Sequence, residues 1–105
     1  MSSETMPETS PLTSAKFSVP QHVVYRSFPT ETVVLNLNTG RYHGLNATAG
    51  RMLAALERSP SLREAAAEVA GQYAQDRATV ERDMDQLCRL LLDRGLIEVD
   101  GGGGS

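Results

Sequence analysis

Hydrophobic and polar residues follow two different periods in the two halves of the chain. From His22 to Leu45, short segments rich in β-branched and aromatic residues alternate with Pro, Asn and Gly turns, a pattern typical of antiparallel strands. After Asn46 the apolar residues recur every three or four positions, which indicates amphipathic helices. The predicted strands are His22–Phe28, Thr32–Leu37 and Arg41–Leu45.

Start and stop residues divide the second half into three helices. Ser59-Pro60 interrupts the helical pattern once, and Gly95 favours a helix end. The residues that can cap a helix N-terminus are Asn46 or Thr48, Ser61 and Asp76. The predicted helices are Ala47–Arg58, Leu62–Tyr73 and a third from the Asp76 cap to Arg94, before a short closing strand or tail over residues 96–99. These elements predict an α+β fold, a three-stranded antiparallel sheet followed by three α-helices on one face.

The turn before the third strand sets the register of the sheet. If Asn38–Gly40 is a three-residue loop, Gly40 supplies the left-handed residue of a bulged hairpin. Leu35 then lies opposite His43. In this register one face of the sheet carries Val33, Leu35, Leu37 and Leu45. A two-residue loop divides the leucines between the faces, so we predict the bulged register, with the third strand at the edge of the sheet.

The two ends of the chain differ in composition from the region between them. Residues 1–16 are rich in Ser, Thr, Pro and Glu and poor in apolar side chains, so we predict a disordered N-terminal tail. Residues 100–105 are Asp, four glycines and Ser, which is typical of a flexible linker. The folded domain is therefore expected over residues 17–99, a size that leaves little room for a deep active site.

Composition disfavours several classes of function. The formal net charge is −3, which argues against a general nucleic-acid or anionic-membrane binder. No apolar run approaches the ~20 residues needed to cross a membrane, and no secretory signal precedes the domain. The single cysteine, Cys88, excludes an internal disulfide and fits a reducing compartment. We therefore expect a cytoplasmic protein.

The residues that carry catalytic or metal chemistry are too few and too scattered for a site. His22, His43 and Cys88 lack the spacings of a zinc site, and Cys88 lies within an apolar helix stripe, where a thiol is inert. The glycines do not form a phosphate-binding loop. We predict that the protein is not an enzyme and holds neither a metal nor a cofactor.

The segment Leu35–Ala49, LNLNTGRYHGLNATA, resembles the hairpin and first helix of the PqqD family, whose pattern is roughly LLdlrtGryyrLNatg. The resemblance covers about Val19 to Val99 and includes a final L…GLi pattern, here Leu90 to Ile97. The stretch GRYHGLNATA is most similar to the stand-alone leader-binding proteins of lasso-peptide pathways.

This resemblance implies a fold and a function. The fold is winged-helix-like, with a sheet of three strands and three helices. The function is to bind the N-terminal leader of a ribosomally made precursor peptide, which joins the edge of the third strand and lies beside the third helix. The domain then presents the precursor to modifying enzymes, which in lasso pathways are a leader peptidase and an ATP-dependent cyclase.

An edge strand without proline can accept a foreign strand, with backbone hydrogen bonds for affinity and side-chain pockets for selectivity. The predicted peptide-binding residues are Leu35, Arg41, Tyr42, His43, Gly44, Leu45, Val80, Asp83, Met84 and Leu87. In this hypothesis the main chain of Arg41–Leu45 pairs with the peptide and the apolar side chains form its pocket. Gly44 leaves room for a second backbone, and Asp83 and Arg41 form a charged rim.

Structural interpretations of the same residues remain open. Tyr42 is also explained by cross-strand packing, and His43 and Asp83 by solvation. Met84 and Leu87 are also explained as core residues. A winged-helix fold is compatible with DNA binding too, but residues 50–99 carry seven arginines and nine acids with no basic stripe. A third hypothesis is an adaptor whose exposed edge docks onto a protein.

Overall fold

The computed structural model describes residues 11–99. A 3₁₀ turn, Pro11–Ser14, precedes the strands and helices. The strands are β1 (Phe17–Ser18), β2 (Val23–Ser27), β3 (Glu31–Asn36), β4 (Tyr42–Asn46) and β5 (Glu98–Val99). The helices are α1 (Ala47–Arg58), α2 (Leu62–Tyr73) and α3 (Arg77–Asp93). An antiparallel sheet has the order β2-β3-β4, and β1 pairs separately with β5, so the predicted α+β fold is confirmed.

Side-chain caps define where each helix begins. Asn46 Oδ1 accepts a hydrogen bond from the Ala49 amide at 2.8 Å, which selects Asn46 over Thr48 as the α1 cap. The corresponding bonds of α2 and α3 are Glu64 N to Ser61 Oγ at 3.2 Å and Thr79 N to Asp76 Oδ2 at 3.1 Å. Because these caps are local in sequence, the helix starts were predictable.

The C-terminus of α3 is closed by a glycine-dependent motif. Gly95 adopts a φ of 71°, and its amide donates to the Leu92 carbonyl at 3.0 Å. The Leu96 amide donates to the Leu91 carbonyl at 2.9 Å, and both leucine side chains are buried. This pair of bonds is a Schellman motif, and it turns the chain toward β5.

The helices cover one face of the β2-β3-β4 sheet, with Gly50 of α1 placed against β3. A Cβ at Gly50 would lie 2.0 Å from Thr32 Oγ1 and 2.6 Å from Thr32 Cβ. Thr32 is itself buried, and its hydroxyl lies 2.9 Å from Ser27 Oγ. Glycine at this position therefore allows α1 to approach the sheet.

The segment from Leu12 to Lys16 packs onto the domain, although the composition of residues 1–16 predicts a disordered tail. Leu12 and Ala15 contact the hydrophobic core, and the Leu62 amide donates to the Ala15 carbonyl at 3.0 Å. Composition did not reveal this because two small apolar contacts are enough when α2 and α3 supply the surface. Residues 1–10 and 100–105, for which a tail and a linker were predicted, lie outside the described residues.

The predicted register of the last hairpin is wrong by one residue. The sheet pairs Val34 with His43, where the three-residue loop required Leu35 opposite His43. The loop has four residues, 37–40, because Asn36 Oδ1 accepts bonds from two loop amides, at 2.9 and 3.3 Å. Gly40 still supplies the positive φ, at 75°. The hydrogen bonds of the Asn36 side chain thus favour the four-residue loop, although this register does not place all the apolar residues of the hairpin on one face.

This shift moves the apolar residues of β3 and β4 to opposite faces. The helix-facing side carries buried Val23, Thr32 and Val34 and half-buried Leu45. The outer side carries Val24, Val33, Leu35 and Tyr42. The shared face predicted for Val33, Leu35, Leu37 and Leu45 is therefore wrong.

None of the helices within residues 11–99 combines the length and the apolar character needed to cross a bilayer.

Candidate functional site

Strand β4 forms an open edge of its sheet in the described part of the chain. Hydrogen-bonded and non-hydrogen-bonded pairs alternate along antiparallel strands. The Asn36 amide donates to the Arg41 carbonyl at 2.8 Å, so every second residue from Arg41 onward is bonded to β3. The N–H and C=O groups of the intervening Tyr42 and Gly44 therefore point away from the sheet. They form an unpaired row of donors and acceptors.

Gly44, at the centre of this edge, is extended rather than left-handed. A Cβ at this position would meet one atom within 4 Å, Glu31 Oε1 at 3.7 Å, which is an ordinary contact. Neither strain nor crowding within the domain therefore requires a glycine here. Space is left beside the main chain on the outer face of the sheet.

Two points near its ends place helix α3 on the helix-facing side of this edge. At its C-terminal end, Arg94 Nη1 lies 3.2 Å from His43 Nδ1. A guanidinium only donates hydrogen bonds, so His43 Nδ1 is the acceptor in this contact. At its N-terminal end, Thr79 and Asp83 share a cavity with Thr48 of α1. The helix and the β4–α1 segment therefore form the two walls of a groove.

The groove wall on α3 is a stripe of side chains at helical spacing. Its members are Asp83, Leu87, Leu90 and Arg94, which project from one face because they recur every three or four residues. Leu87 is half-buried against the core, and Leu90 is 41% exposed. Leu90 and Arg94 are absent from the predicted site, because half of the α3 residues predicted for it, Val80 and Met84, belong to the buried stripe. The sequence does contain this second stripe, which lies three residues further along α3 than the buried one, and it could have been used to predict the groove wall.

A small cavity lies where the groove meets the start of α1. Its volume is about 160 Å³, similar to apolar cavities that accept a molecule the size of benzene. Apolar side chains from three helices form its floor, namely Met52, Val69 and Val80. Polar residues form its rim, namely Thr48, Gln75, Thr79 and Asp83. The cavity is thus shaped for an apolar side chain.

The predicted site residues are distributed over three environments. Those exposed along the edge or the groove are Arg41, Tyr42, Gly44 and Asp83. Those half-buried beside the groove are His43, Leu45 and Leu87. Val80 is 4% exposed and lines the small cavity. Met84 has no exposed surface, so it is a core residue and does not line the groove.

Leu35 lies outside the groove because of the register shift. It is opposite Tyr42 on the outer face of the sheet, next to a shallow depression of about 370 Å³ lined by Val24, Phe28 and Val33. The prediction that Leu35 and Leu45 together form one pocket wall is therefore wrong. Any contact of Leu35 with a peptide would have to come from its outer side.

Titratable groups away from the groove are held in non-reactive states. Burial raises the pKa of Cys88 to about 12, so its thiol remains protonated and is a poor nucleophile. Burial, together with a hydrogen bond of 2.5 Å to Glu57 Oε1, raises the pKa of Tyr25 well above its ordinary value. Within residues 11–99, no His, Cys, Asp and Glu side chains cluster as metal ligands.

The sheet, the three helices and the open edge define a domain of the peptide-recognition type. The family model described as "Coenzyme PQQ synthesis protein D (PqqD)" matches residues 31–97, and the chain belongs to this family. Within it, the chain is a recognition element for ribosomally synthesised and modified peptides, a class of leader-binding domains that are non-catalytic. No curated protein sequence matches the chain.

Two solved structures are similar to the chain over most of its length. One is TbiB1 in complex with the TbiA(beta) leader peptide, with 34% identity, a TM-score of 0.69, and coverage of 77% of this chain and 94% of that one. The other is lasso peptide synthetase B1 complexed with the leader peptide, with 25% identity, a TM-score of 0.70, and coverage of 80% and 99% respectively.

Proposed function

We propose that this domain captures the leader segment of a ribosomally synthesised precursor peptide as an added strand on β4. It then presents the precursor to modifying enzymes of a lasso-peptide pathway. The observation that carries the proposal is the unpaired main chain of Tyr42 and Gly44, at a proline-free edge bordered by α3. Both similar structures are complexes with a leader peptide, which supports the same kind of ligand for this chain.

Backbone pairing alone does not hold such a peptide. The four edge groups of Tyr42 and Gly44 provide hydrogen bonds of ~0.5–1.5 kcal/mol each, while association and ordering cost ~4–15 kcal/mol. Buried apolar anchors, at about 1.5–3 kcal/mol each, supply the difference. The small cavity and the flank formed by half-buried Leu87 and exposed Leu90 offer places for them. We expect a dissociation constant in the micromolar range or below, about −8 kcal/mol or stronger.

Strand geometry assigns the peptide side chains to two rows. Alternate side chains of a strand point to opposite faces of the sheet. One row of the added strand enters the groove toward α3, and the other lies on the outer face beside Tyr42. Sequence selectivity therefore resides mainly in every second peptide residue.

The proposed partners are the enzymes that act on the captured precursor. They are a leader peptidase and, as a second partner, an ATP-dependent cyclase, in the cytoplasm. The added strand covers the edge and both sides of β4, so the outer face of β2 and β3 stays available to them.

A proline at position 44 tests the docking edge. The Gly44 amide points outward, so Gly44→Pro removes no β3–β4 bond, and proline is tolerated at such edge positions. The substitution does remove one donor to the peptide and places the ring in its path. The matched control is Gly44→Ala, whose Cβ makes only the 3.7 Å contact with Glu31 Oε1.

The measurement is fluorescence anisotropy of a labelled TbiA(beta) leader peptide, the ligand in one of the similar structures, with circular dichroism as the folding check. We expect Gly44→Ala to bind within about threefold of wild type and Gly44→Pro to lose saturable binding. Normal binding by a folded Gly44→Pro variant would refute the proposed edge. A parallel titration with duplex DNA tests the alternative, and micromolar binding of DNA without binding of the leader would overturn the proposal.

A further inference from the structure

Two arginines and a histidine converge at the hairpin end of the groove. Arg41, His43 and Arg94 line one concavity of about 470 Å³, together with the loop residues Asn36 and Thr39. Both arginines are exposed. We define these three basic side chains as the basic corner.

The arginines of the basic corner have no acidic partner among residues 11–99. The ion pairs in this part of the chain are Arg58–Glu68, Arg77–Glu81 and Arg89–Asp85. Arg94 uses one N–H to donate to His43 Nδ1, and a guanidinium has five such donors. Two cationic groups therefore face one concavity without a carboxylate from the described domain to balance them.

The corner is also on the correct side of β4 to meet an added strand. Arg41 and His43 are two residues apart, so both side chains lie on the helix-facing side. That side is the one on which alternate residues of the captured peptide would enter the groove. A guanidinium binds a carboxylate through two parallel N–H···O bonds, and the Asp and Glu side chains of a peptide supply such carboxylates.

We propose that the basic corner binds the carboxylate of an Asp or Glu side chain of the captured peptide, an inference that rests on the proposed function. The acidic residue belongs to the groove-facing row, opposite Arg41 or His43. The opposite charge of Asp83 lies at the other end of the groove. The charge pattern thus selects one direction for the bound strand, because the reverse direction brings the peptide carboxylate toward Asp83.

The length of the groove sets the spacing between the acidic residue and the apolar anchor. Asp83 and Arg94 are about three turns of α3 apart, which is roughly 16 Å at 1.5 Å per residue. An extended strand covers that distance in about five residues. Because both anchors share one row, the apolar residue is expected about four or six positions from the acidic one.

Selection from a displayed library of random dodecapeptides tests this proposal and does not require the sequence of the natural precursor. The selections use the full chain as wild type, as the double variant Arg41→Gln/Arg94→Gln, and as the control Arg63→Gln. Arg63 is an exposed arginine of α2 that lines neither end of the groove. We expect wild type and Arg63→Gln to enrich an acidic residue at one fixed position relative to the apolar anchor, and the double variant to lose that enrichment.

A thermodynamic cycle then measures the contact directly. The most enriched peptide is synthesised with Glu and with Gln at the acidic position and titrated against wild type and the double variant. We expect the Glu→Gln peptide to bind wild type about tenfold more weakly, since charge-assisted bonds exceed neutral ones. The double variant should bind the two peptides equally, and raising NaCl from 50 to 300 mM should reduce the wild-type preference.

The possible outcomes separate this inference from the proposed function. If wild type enriches peptides with no acidic position, or if the double variant keeps the tenfold preference, the carboxylate site is refuted while peptide capture stands. If wild type enriches no peptide above background, peptide capture itself fails and the carboxylate site fails with it.

Discussion

The close contact between Gly50 and Thr32 predicts that Gly50→Ala destabilises the domain, whereas helix propensity alone predicts that it stabilises the domain. In an exposed helix interior, Gly→Ala stabilises by about 0.5–1 kcal/mol. At Gly50, however, the new Cβ would lie 2.0 Å from Thr32 Oγ1. An ordinary contact begins near 3.4 Å, so α1 or Thr32 must move by more than an ångström.

The size of the destabilisation depends on which contacts of Thr32 the added methyl group disrupts. Rotating Thr32 breaks its hydroxyl contact with Ser27, worth about 1 kcal/mol, and its Cβ would still lie 2.6 Å from the added group. Overpacking of this kind costs about 1–3 kcal/mol. After the gain in helix propensity is subtracted, Gly50→Ala should lower the free energy of unfolding by about 1–3.5 kcal/mol. That corresponds to roughly 5–25 °C in Tm for a domain of this size.

Guanidinium denaturation monitored by circular dichroism measures this effect, with Gly71→Ala as the matched control. Gly71 is a helical glycine of α2 whose added Cβ would meet nothing within 4 Å. We expect Gly71→Ala to stabilise the domain by about 0.5–1 kcal/mol. Equal stabilisation by both substitutions would refute the close approach of α1 to β3. Adding Thr32→Ala to Gly50→Ala should make the loss less than additive, because the two sites are in direct contact.

Two further predictions concern other positions. Ala74 holds the left-handed conformation at the end of α2, with a φ of 52°. Ala74→Gly should therefore raise the free energy of unfolding by about 0.5–1 kcal/mol in the same denaturation assay. A loss of stability would contradict this backbone conformation. Native Cys88 should not react with a thiol reagent at pH 8 and should react on unfolding, because burial raises its pKa to about 12; rapid reaction of the native protein would contradict the burial. Since the unfolded thiol loses its proton first as the pH rises, the contribution of Cys88 to stability should be intact below about pH 9 and decline between pH 9 and 12.

The site was predictable where it depends on chain order and not where it depends on packing. The third strand ends the meander, so the open edge at Arg41–Leu45 followed from the order of elements, and the later strand β5 pairs with β1 instead. The residues of the groove wall could not be predicted in this way, because the periodicity of α3 shows which residues form an apolar stripe but not whether protein or a ligand covers them. Protein covers Met84 completely, whereas Leu90 on the neighbouring stripe is 41% exposed.

The sequence by itself determined the elements of this protein, since caps such as Asn46 and Asp76 and breaks such as Pro60 act on residues close to them in the chain. Tertiary structure decided which faces meet. The bond from Asn36 to its loop set the register of β4, and the gap at Gly50 set the approach of α1. The convergence of Arg41 with Arg94 also required the folded chain, because about fifty residues separate them and only the packing of α3 beside β4 brings them together.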